Sequence, residues 1–323
     1  MTDLDKIVVL CGGVGAARFL RGLIDVVPDA SITAIVNVAD DMELHGLWVS
    51  PDIDTVIYTL ADAIDPGRGW GLRNETWNAM EALGRYGDRD WFSLGDRDLG
   101  THLQRTALLA EGASLTDVTV GLCKAWDIGV QVLPVTDDRI STRITRADNG
   151  EQISFQEYFV GLQHDVPVSK IEFDGIEKAR PTDLVLHALT DADLLLVAPS
   201  NPLVSIAPVV GVPGVTEALR TSQATRVAIS PIVGGKALKG PAANMLSELG
   251  HRVDAAGVAS LWSPIIDMML IDDHDSAIAA DVAGSGVVPY VTDTVMADPD
   301  RRRAVASAAL TAAQLLGNKR KAL

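Results

Sequence analysis

The residues best suited to chemistry stand where apolar runs give way to glycine and polar residues. The run Lys6–Leu10 is followed by a glycine-rich turn and then by a helical pattern. Glycine lets backbone N–H groups approach a phosphate closely, and a helix N-terminus adds positive potential. We therefore predict a phosphate-binding turn, with a tight structural turn as the alternative. Its residues are Gly12, Gly13, Val14 and Gly15.

This turn matches the known nucleotide motifs only in part. Arg18 occupies the place of the third glycine in the dinucleotide fingerprint, and the second predicted strand ends at Asn37 instead of an acidic residue. No Gly-Lys-Ser/Thr follows, so the turn is not a Walker A loop. Arg18 and Asn37 both count against an NAD-dependent oxidoreductase, the class of protein that the glycine turn alone would suggest.

Four aspartates bracket the loop that leaves the second predicted strand: Asp40, Asp41, Asp52 and Asp54. Carboxylates at a strand end can hold Mg²⁺, which prefers oxygen ligands and leaves room for substrate phosphates. In a chain of formal net charge −16, such carboxylates would face a nucleotide only with a cation between them. These aspartates could therefore form a metal site, whereas the pattern taken alone is more typical of turn residues and helix caps.

Two polar loops follow two successive strand-like runs later in the chain, at 199–202 and 231–239. Ligands of open α/β sheets bind at the carboxyl ends of the strands, so we expect both loops at one ligand edge. Hydroxyl and amide groups there could bind a base, a ribose or a phosphate, and lysines could supply positive charge. These candidates are Ser200, Asn201, Lys236 and Lys239.

The segment Gly95–Asp98 opens a predicted helix. Asp98 and His102 are four residues apart and share a helix face. Asp96 could cap this helix with ion pairs around it, or the segment could line a substrate site. There is no Gly-x-Ser-x-Gly elbow and no Cys/His pairing that indicates a nucleophile.

Apolar periodicity indicates the elements that must position these residues. Short buried strands are predicted at Lys6–Leu10, Ser31–Val36, Gln131–Pro134, Asp193–Val197 and Arg226–Ser230. Helices are predicted at Ala16–Val27, Asp54–Leu60, Asn74–Leu83, Asp96–Ala110, Ser114–Cys123 and from Pro299 onward, with a polar loop over Asn37–Asp52. This order predicts an α/β fold with a doubly wound, mostly parallel Rossmann-like sheet.

One stretch differs from the parallel pattern. Residues Thr142–Val160 alternate apolar and polar side chains around Asn149-Gly150, which is a strong hairpin signal. We therefore expect a single domain over 1–323 with a small inserted α+β subdomain at about 136–190.

The composition excludes several classes of partner. An acidic chain of pI about 4.7 is poorly suited to nucleic acid or to an anionic membrane surface. The two cysteines, Cys11 and Cys123, are far apart, no signal-peptide pattern precedes the first strand, and no apolar run approaches a membrane span. We expect a cytoplasmic protein with small-molecule partners.

Six stretches, in order, are similar to the 2-phospho-L-lactate transferase family of coenzyme F(420) biosynthesis. RGWGLRNETWNA resembles the actinobacterial branch, whose members are phosphoenolpyruvate transferases. The stretches are CGGVGAARFLRGL (11–23), IVNVADDMELHGLWVSPDIDTVIYTL (35–60), DPGRGWGLRNETWNA (65–79), LGDRDLGTHLQRT (94–106), LLVAPSNPLVSIAPVV (195–210) and SPIVGGKALKGPA (230–242).

The resemblance implies a reaction and a set of partners. The ribityl 5′-hydroxyl of the deazaflavin Fo attacks the diphosphate of a guanosine-linked donor, and GMP leaves. An enolpyruvyl donor gives dehydro-F(420)-0, and the archaeal branch uses the lactyl analogue. The residues of this chain do not distinguish an enolpyruvyl donor from a lactyl donor. The resemblance also implies Mg²⁺ and a homodimer.

It further implies roles for individual residues. Asp40 and Asp54 would bind the metal and serve catalysis, with Asp54 near the attacking hydroxyl. The turn 12–15 would line the diphosphate. Where some relatives carry a basic residue before LGD, this chain has Ser93, so no charge-based contact is implied there. The guanosine contacts would be Ser200, Asn201 and Pro202, and the deazaflavin contacts would be Asp54, Ser93, Asp96 and Arg97.

A related branch of similar fold offers a further alternative, a UDP-sugar-binding regulator without transferase activity. The stretches GDRD and GRGWG, as plausible deazaflavin contacts, favour the enzyme.

Overall fold

The computed structural model describes residues 5–87 and 91–321, with side chains described through residue 318. The strands are β1 (Ile7–Cys11), β2 (Ile32–Val36), β3 (Met42–Leu44), β4 (Leu47–Val49), β5 (Gln131–Pro134), β6 (Ser141–Arg146), β7 (Gln152–Ser154), β8 (Val168–Asp174), β9 (Leu194–Val197), β10 (Thr225–Ile229), β11 (Ile232–Val233), β12 (Lys236–Ala237), β13 (Met268–Ile271) and β14 (Val288–Val291). The α-helices are α1 (Val14–Leu23), α2 (Pro51–Leu60), α3 (Asn78–Gly84), α4 (Asp98–Ala110), α5 (Leu115–Ala125), α6 (Asp183–Asp191), α7 (Ala207–Gly211), α8 (Val215–Thr221), α9 (Ala242–Glu248), α10 (Ala255–Trp262), α11 (Ala279–Gly284) and α12 (Pro299–Lys321).

The central sheet has seven parallel strands in the order β14-β13-β10-β9-β1-β2-β5. The chain runs outward from β1 through β2 to β5, and then returns to β9 on the other side of β1. This reversal sets the carboxyl ends of β1 and β9 side by side, where ligands of doubly wound sheets bind. The predicted fold class is confirmed, because alternating apolar strands and helices specify this layered arrangement.

Helices cover the central sheet because its strands are apolar on both faces. Every residue of β1 is buried, as expected for a central parallel strand. Helix α1 packs so closely on α12 that a side-chain carbon at Gly22 would lie 2.5 Å from the carbonyl oxygen of Arg302. In the described part of the chain no single helix is long and apolar enough to span a membrane; a pair bent by 83°, Pro202–Gly211 with Val215–Thr221, passes that test by length and composition only.

The structure differs from the predicted elements at β13 and β14 of the central sheet, which were not predicted, and between β2 and α2. The stretch predicted as one polar loop contains the antiparallel hairpin of β3 and β4. Strands of three residues are too short to show a reliable alternation. The hairpin matters for the site because it brings Asp41, Trp48 and Ser50 together at its base.

The hairpin predicted around Asn149-Gly150 is confirmed. Strands β6 and β7 pair antiparallel, β8 completes a three-stranded sheet, and Gly150 has a φ of +74°, which suits glycine in a tight turn. A helical turn after β7 carries Phe155 and Phe159 toward the carboxyl edge of the central sheet. The division of 1–323 into one domain with a subdomain at about 136–190 stays a prediction.

Candidate active site

Two adjoining cavities lie at the carboxyl edge of the central sheet. The strand-end cavity, of about 330 Å³, is formed by the loops that follow β1, β9 and β10. The aromatic cavity, of about 420 Å³, lies between α2, α4 and the loop 65–71. The two share one wall, and the residues that line both are Gly13, Val14, Asp52, Phe155, Phe159 and Lys239.

The glycine turn forms the floor of the strand-end cavity. Helix α1 begins at Val14, so its first backbone N–H groups lack partners within the helix and can receive an anion. A side-chain carbon at Gly15 would lie 2.0 Å from the carbonyl oxygen of Pro199, so only glycine fits there. Gly12 does not line the cavity; its N–H donates to Ser200 Oγ at 3.2 Å. Of the predicted phosphate-binding residues, Gly13, Val14 and Gly15 therefore meet at the cavity, and Gly12 lies behind them.

Two cations, Arg18 and Lys239, line the same cavity. Arg18 lies one turn into α1, and Lys239 follows β12. Desolvation lowers the pKa of Lys239, and the charge of Arg18 lowers it further. Two converging cations are stabilised by an anion between them, which explains why Arg18 stands where a dinucleotide-binding protein has glycine. The predicted residue Lys236 is exposed in β12 and does not line the cavity, so the loop places Lys239 there instead.

The loop after β9 contributes a second set of polar groups. Ser200 and Asn201 line the strand-end cavity, whereas Pro202 is buried and does not. The side-chain oxygen Oδ1 of Asn201 caps the turn that follows, accepting from the N–H groups of Leu203 at 2.9 Å and Val204 at 3.4 Å. The side-chain oxygen of Asn201, a predicted guanosine contact, is thus already engaged in hydrogen bonds that shape the loop.

A pair of acidic side chains stands beside the glycine turn. The side-chain nitrogen of Asn37 donates to Asp40 Oδ2 at 3.1 Å and to Asp52 Oδ2 at 3.0 Å. Burial, and then the charge of Asp52, raises the pKa of Asp40 well above its usual range. Desolvation likewise raises the pKa of Asp52 to about 6. The Oδ1 of Asp40 makes no hydrogen bond of normal geometry, although the hydroxyl of Thr142 is near it. Among the residues that the structure describes, no cation forms an ion pair with Asp40 or Asp52, and such a pair of carboxylates suits a divalent cation.

Asp54, predicted as the second metal ligand, faces elsewhere. Residues 52 and 54 lie in the first turn of α2, and two positions on an α-helix point about 200° apart. Asp54 lines the aromatic cavity, where both its oxygens accept from the guanidinium of Arg105. The predicted pairing of Asp40 with Asp54 is therefore not what the structure brings together; the carboxylate beside Asp40 is Asp52.

Aromatic side chains make up much of the wall of the aromatic cavity. Phe155 and Phe159 stack with ring centroids 5.5 Å apart. In the loop 65–71, the guanidinium of Arg68 lies 5.4 Å from the ring centre of Trp70. Ser93, a predicted contact, also lines this cavity. The remaining aromatic lining residues are Tyr58, Trp91 and Phe92.

Asp96 and Arg97 do not line either cavity, in contrast to the predicted contact with a ligand. Asp96 accepts hydrogen bonds from Asn78 N at 3.0 Å and Ala79 N at 2.9 Å, so it caps α3 and not its own helix. Glu75 in turn caps α4, because its carboxylate accepts from the N–H groups of Arg97 at 2.8 Å and Asp98 at 2.9 Å. Hydrogen bonds to Asp96 from the Thr76 side chain, the Ala79 backbone N–H and the Asn78 side chain lower the pKa of Asp96 well below its usual range.

Asp52 was one of the four candidate carboxylates, but the sequence did not indicate that it, and not Asp54, lies beside Asp40; Asn37 and Arg105 were not predicted as site residues. Asp52 stands next to Pro51 at a helix start, which is also typical of a cap. Asn37 was notable as a non-acidic strand end, and that departure from the fingerprint was the available signal. Arg105 is fully buried, and only its sharing of a helix face with Asp98 and His102, at intervals of four and three, indicated it.

A doubly wound parallel sheet with a glycine turn and two adjoining cavities at its switch point defines a Rossmann-like α/β protein. The protein-family model "2-phospho-L-lactate transferase CofD" matches residues 7–310. A phosphoenolpyruvate transferase of Streptomyces coelicolor is 42% identical over 313 residues, covering 96% of this chain and 98% of that protein. One of Mycobacterium avium is 44% identical over 317 residues, covering 89% and 94%.

A solved structure of a UPF0052 family protein from Bacillus halodurans has the same fold, with a TM-score of 0.65, 20% identity and coverage of 94% of this chain and 99% of that one. The chain belongs to the 2-phospho-L-lactate transferase family. It is a phosphoenolpyruvate or phospholactate transferase of the coenzyme F(420) pathway, and the resemblance seen in the sequence is confirmed.

Proposed function

We propose that this enzyme transfers an enolpyruvyl-phosphate group from a guanosine-diphosphate-linked donor to the ribityl hydroxyl of Fo. The observation that carries the proposal is the wall of Gly13, Asp52 and Lys239 that the two cavities share. A donor in one cavity and an acceptor in the other would meet at this wall. Relatives described as phosphoenolpyruvate transferases favour the enolpyruvyl donor over the lactyl one.

The strand-end cavity suits the donor. Its diphosphate would lie against the start of α1, with Arg18 and Lys239 beside it. Backbone N–H groups and fixed cations stabilise the charge that develops on phosphate oxygens without having to reorganise. Ser200 and the loop after it would contact the nucleoside.

Asp40 and Asp52 fit a divalent cation, which we propose to be Mg²⁺. Both carboxyl groups have raised pKa values because they are desolvated and short of positive charge, and carboxylate oxygens are the ligands that Mg²⁺ prefers. A bound cation would offset the negative charge of the diphosphate. The side-chain nitrogen of Asn37 donates to both carboxylates and so fixes their positions relative to each other.

The aromatic cavity suits the planar deazaflavin ring. Phe155, Phe159 and Trp70 offer faces and edges for stacking, which aromatic ligands exploit. With the ring held there, the ribityl chain would extend past Asp54 toward the shared wall. Positioning of this kind supplies much of the rate in phosphoryl transfer.

The proposed step balances without a covalent enzyme intermediate. The acceptor oxygen forms a bond to the phosphorus that carries the enolpyruvyl group, the bond from that phosphorus to the GMP oxygen breaks, and GMP leaves with the electron pair. The hydroxyl proton is released. The product is dehydro-F(420)-0, or F(420)-0 from the lactyl donor.

The test is an assay with Fo and each guanosine donor in turn, with product masses as the readout. The enolpyruvyl and lactyl products differ by the mass of one hydrogen molecule. Formation of neither product, together with binding of a UDP-sugar, would favour the non-catalytic regulator instead. A homodimeric, cytoplasmic enzyme completes the proposal, on the family resemblance alone, and light scattering in solution tests the dimer.

A further inference from the structure

A buried polar network lies behind the aromatic cavity and is not used by the transfer step described above. Its centre is Arg105, whose side chain is fully buried. One guanidinium nitrogen, Nη1, donates to Asp54 Oδ2 at 3.1 Å and lies 3.3 Å from His102 Nδ1, and the other donates to Asp54 Oδ1. A buried arginine is retained only with such partners, because an unpaired buried charge is costly.

The contact between Arg105 and His102 fixes the form of the imidazole. A guanidinium has only donors, so Nδ1 of His102 must accept. The ring proton is then on Nε2, which lies 3.4 Å from Asp98 Oδ1. His102 therefore lies between the Arg105–Asp54 pair and Asp98, with Nδ1 facing Arg105 and Nε2 close to Asp98, although Nε2 makes no hydrogen bond of normal geometry to any residue that the structure describes.

Asp98 is held from a second side. The hydroxyl of Tyr58 donates to Asp98 Oδ1 at 2.5 Å. Burial alone would raise the pKa of Asp98, but its interactions with His102 and then with Tyr58 outweigh burial, and the pKa lies below its usual value. Asp98 is thus kept as a carboxylate. Among the residues that the structure describes, none donates to its other oxygen, Oδ2.

Both carboxylates of this network, Asp54 and Asp98, line the cavity whose other walls are largely aromatic. A carboxylate is an acceptor-only group, so a fixed pair of carboxylates recognises a ligand that presents hydroxyl donors. Arg105 holds Asp54 from the core, and the Tyr58 hydroxyl together with the neighbouring His102 ring restrains Asp98.

We infer that Arg105 and His102 are positioning residues that fix Asp54 and Asp98 as hydrogen-bond acceptors for the polyhydroxyl chain of the acceptor. The inference rests on the proposed function, since it assigns the acceptor to the aromatic cavity. Arg105 does not line the aromatic cavity, and His102 lines it with a side chain that is only 1% exposed.

The experiment measures Fo binding by fluorescence titration and KM for each substrate in Arg105→Lys. Lysine keeps the charge but cannot hold both oxygens of Asp54. We expect Fo affinity to fall about tenfold or more, as for a misplaced charged hydrogen bond, with the KM of the guanosine donor nearly unchanged.

The matched control is Arg226→Lys, because Arg226 forms a similar two-contact ion pair with Asp267, at 3.0 and 2.6 Å, at the opposite edge of the sheet. It should lower the melting temperature and leave Fo affinity unchanged. His102→Asn is the second variant if Arg105→Lys fails to fold. It preserves an acceptor for Arg105 but removes the link to Asp98, so Fo affinity should fall while donor KM stays.

The outcomes separate the two proposals. Wild-type protein that does not bind Fo refutes the proposed function and this assignment with it. Wild-type protein that binds Fo, with folded Arg105→Lys or His102→Asn binding it equally well, overturns the inference and leaves the proposed function standing.

Discussion

The backbone at Gly15 touches the loop that contains Pro199: a side-chain carbon on Gly15 would lie 2.0 Å from the Pro199 carbonyl oxygen. This contact joins the loops after β1 and β9, and so defines the width of the crevice at the switch point of the sheet. The geometry of the strand-end cavity therefore depends on the absence of one methyl group.

We expect Gly15→Ala to destabilise the protein by about 1–3 kcal/mol, as for an overpacked site, and to abolish donor binding. The carbonyl oxygen of Pro199 can move away from the added carbon only if the loops after β1 and β9 separate. Gly121→Ala is the control, because Gly121 lies in the exposed middle of α5 with nothing within 4 Å of the added carbon. That change should stabilise the helix by roughly 0.5–1 kcal/mol. Chemical denaturation and calorimetric titration of the donor give both quantities.

The two aspartates of α2 should respond differently to loss of charge. Asp52→Asn removes a proposed metal ligand, so Mn²⁺ affinity, followed by electron paramagnetic resonance, should fall about a hundredfold or more, since even outer-shell partners are worth 10–100-fold. Asp54→Asn should keep the cation site but leave Arg105 without its anion, at a cost of roughly 3–5 kcal/mol in stability. Equal metal affinity in Asp52→Asn and wild type would show that the cation binds elsewhere.

The two lysines of the loop after β10 provide a matched pair. Lys239→Gln removes one of the cations that line the strand-end cavity, and the donor KM should rise about ten- to a hundredfold. Lys236→Gln changes an exposed side chain outside the cavity and should alter the donor KM less than about twofold. Steady-state kinetics at fixed Fo distinguishes them, and the reverse ranking would contradict the proposed donor site.

The raised pKa of Asp41 leads to a prediction about how the stability of the folded protein depends on pH. Burial raises the pKa of Asp41 to about 8, despite hydrogen bonds from Ser50 at 2.6 Å and Trp48 at 3.2 Å. The folded protein therefore holds this proton more tightly than the unfolded chain does, and the stability it contributes is lost as pH rises from about 4 through 8.

With a chelator present, we expect the melting temperature to fall over this window, and Asp41→Asn to reduce the fall. An asparagine can accept the same two hydrogen bonds and carries no charge. Calorimetric scans at several pH values measure the effect. A melting curve of Asp41→Asn with the same pH dependence as wild type would argue against a protonated Asp41.

The fold could be predicted to a large extent because its signals are local. Short apolar runs predicted β1, β2, β5, β9 and β10, and their alternation with helices predicted the doubly wound order, whereas β13 and β14 of the same sheet were not predicted. Strands β3 and β4 were missed because three residues show no period. The end of α1 was placed past Leu23 because the apolar spacing continues beyond the last helical hydrogen bond.

The sequence by itself determined which groups were available: a glycine turn, a set of aspartates and polar loops after strands, in an order that resembles one transferase family. The tertiary structure decided which of these groups meet. Asp52 faces the glycine turn and Asp54 faces Arg105, although they are two residues apart, because a helix turns them to different sides. Asp96 caps α3 and Lys239 replaces Lys236 for the same kind of reason: the direction of a side chain is set by packing between segments far apart in the chain, and no local pattern encodes it.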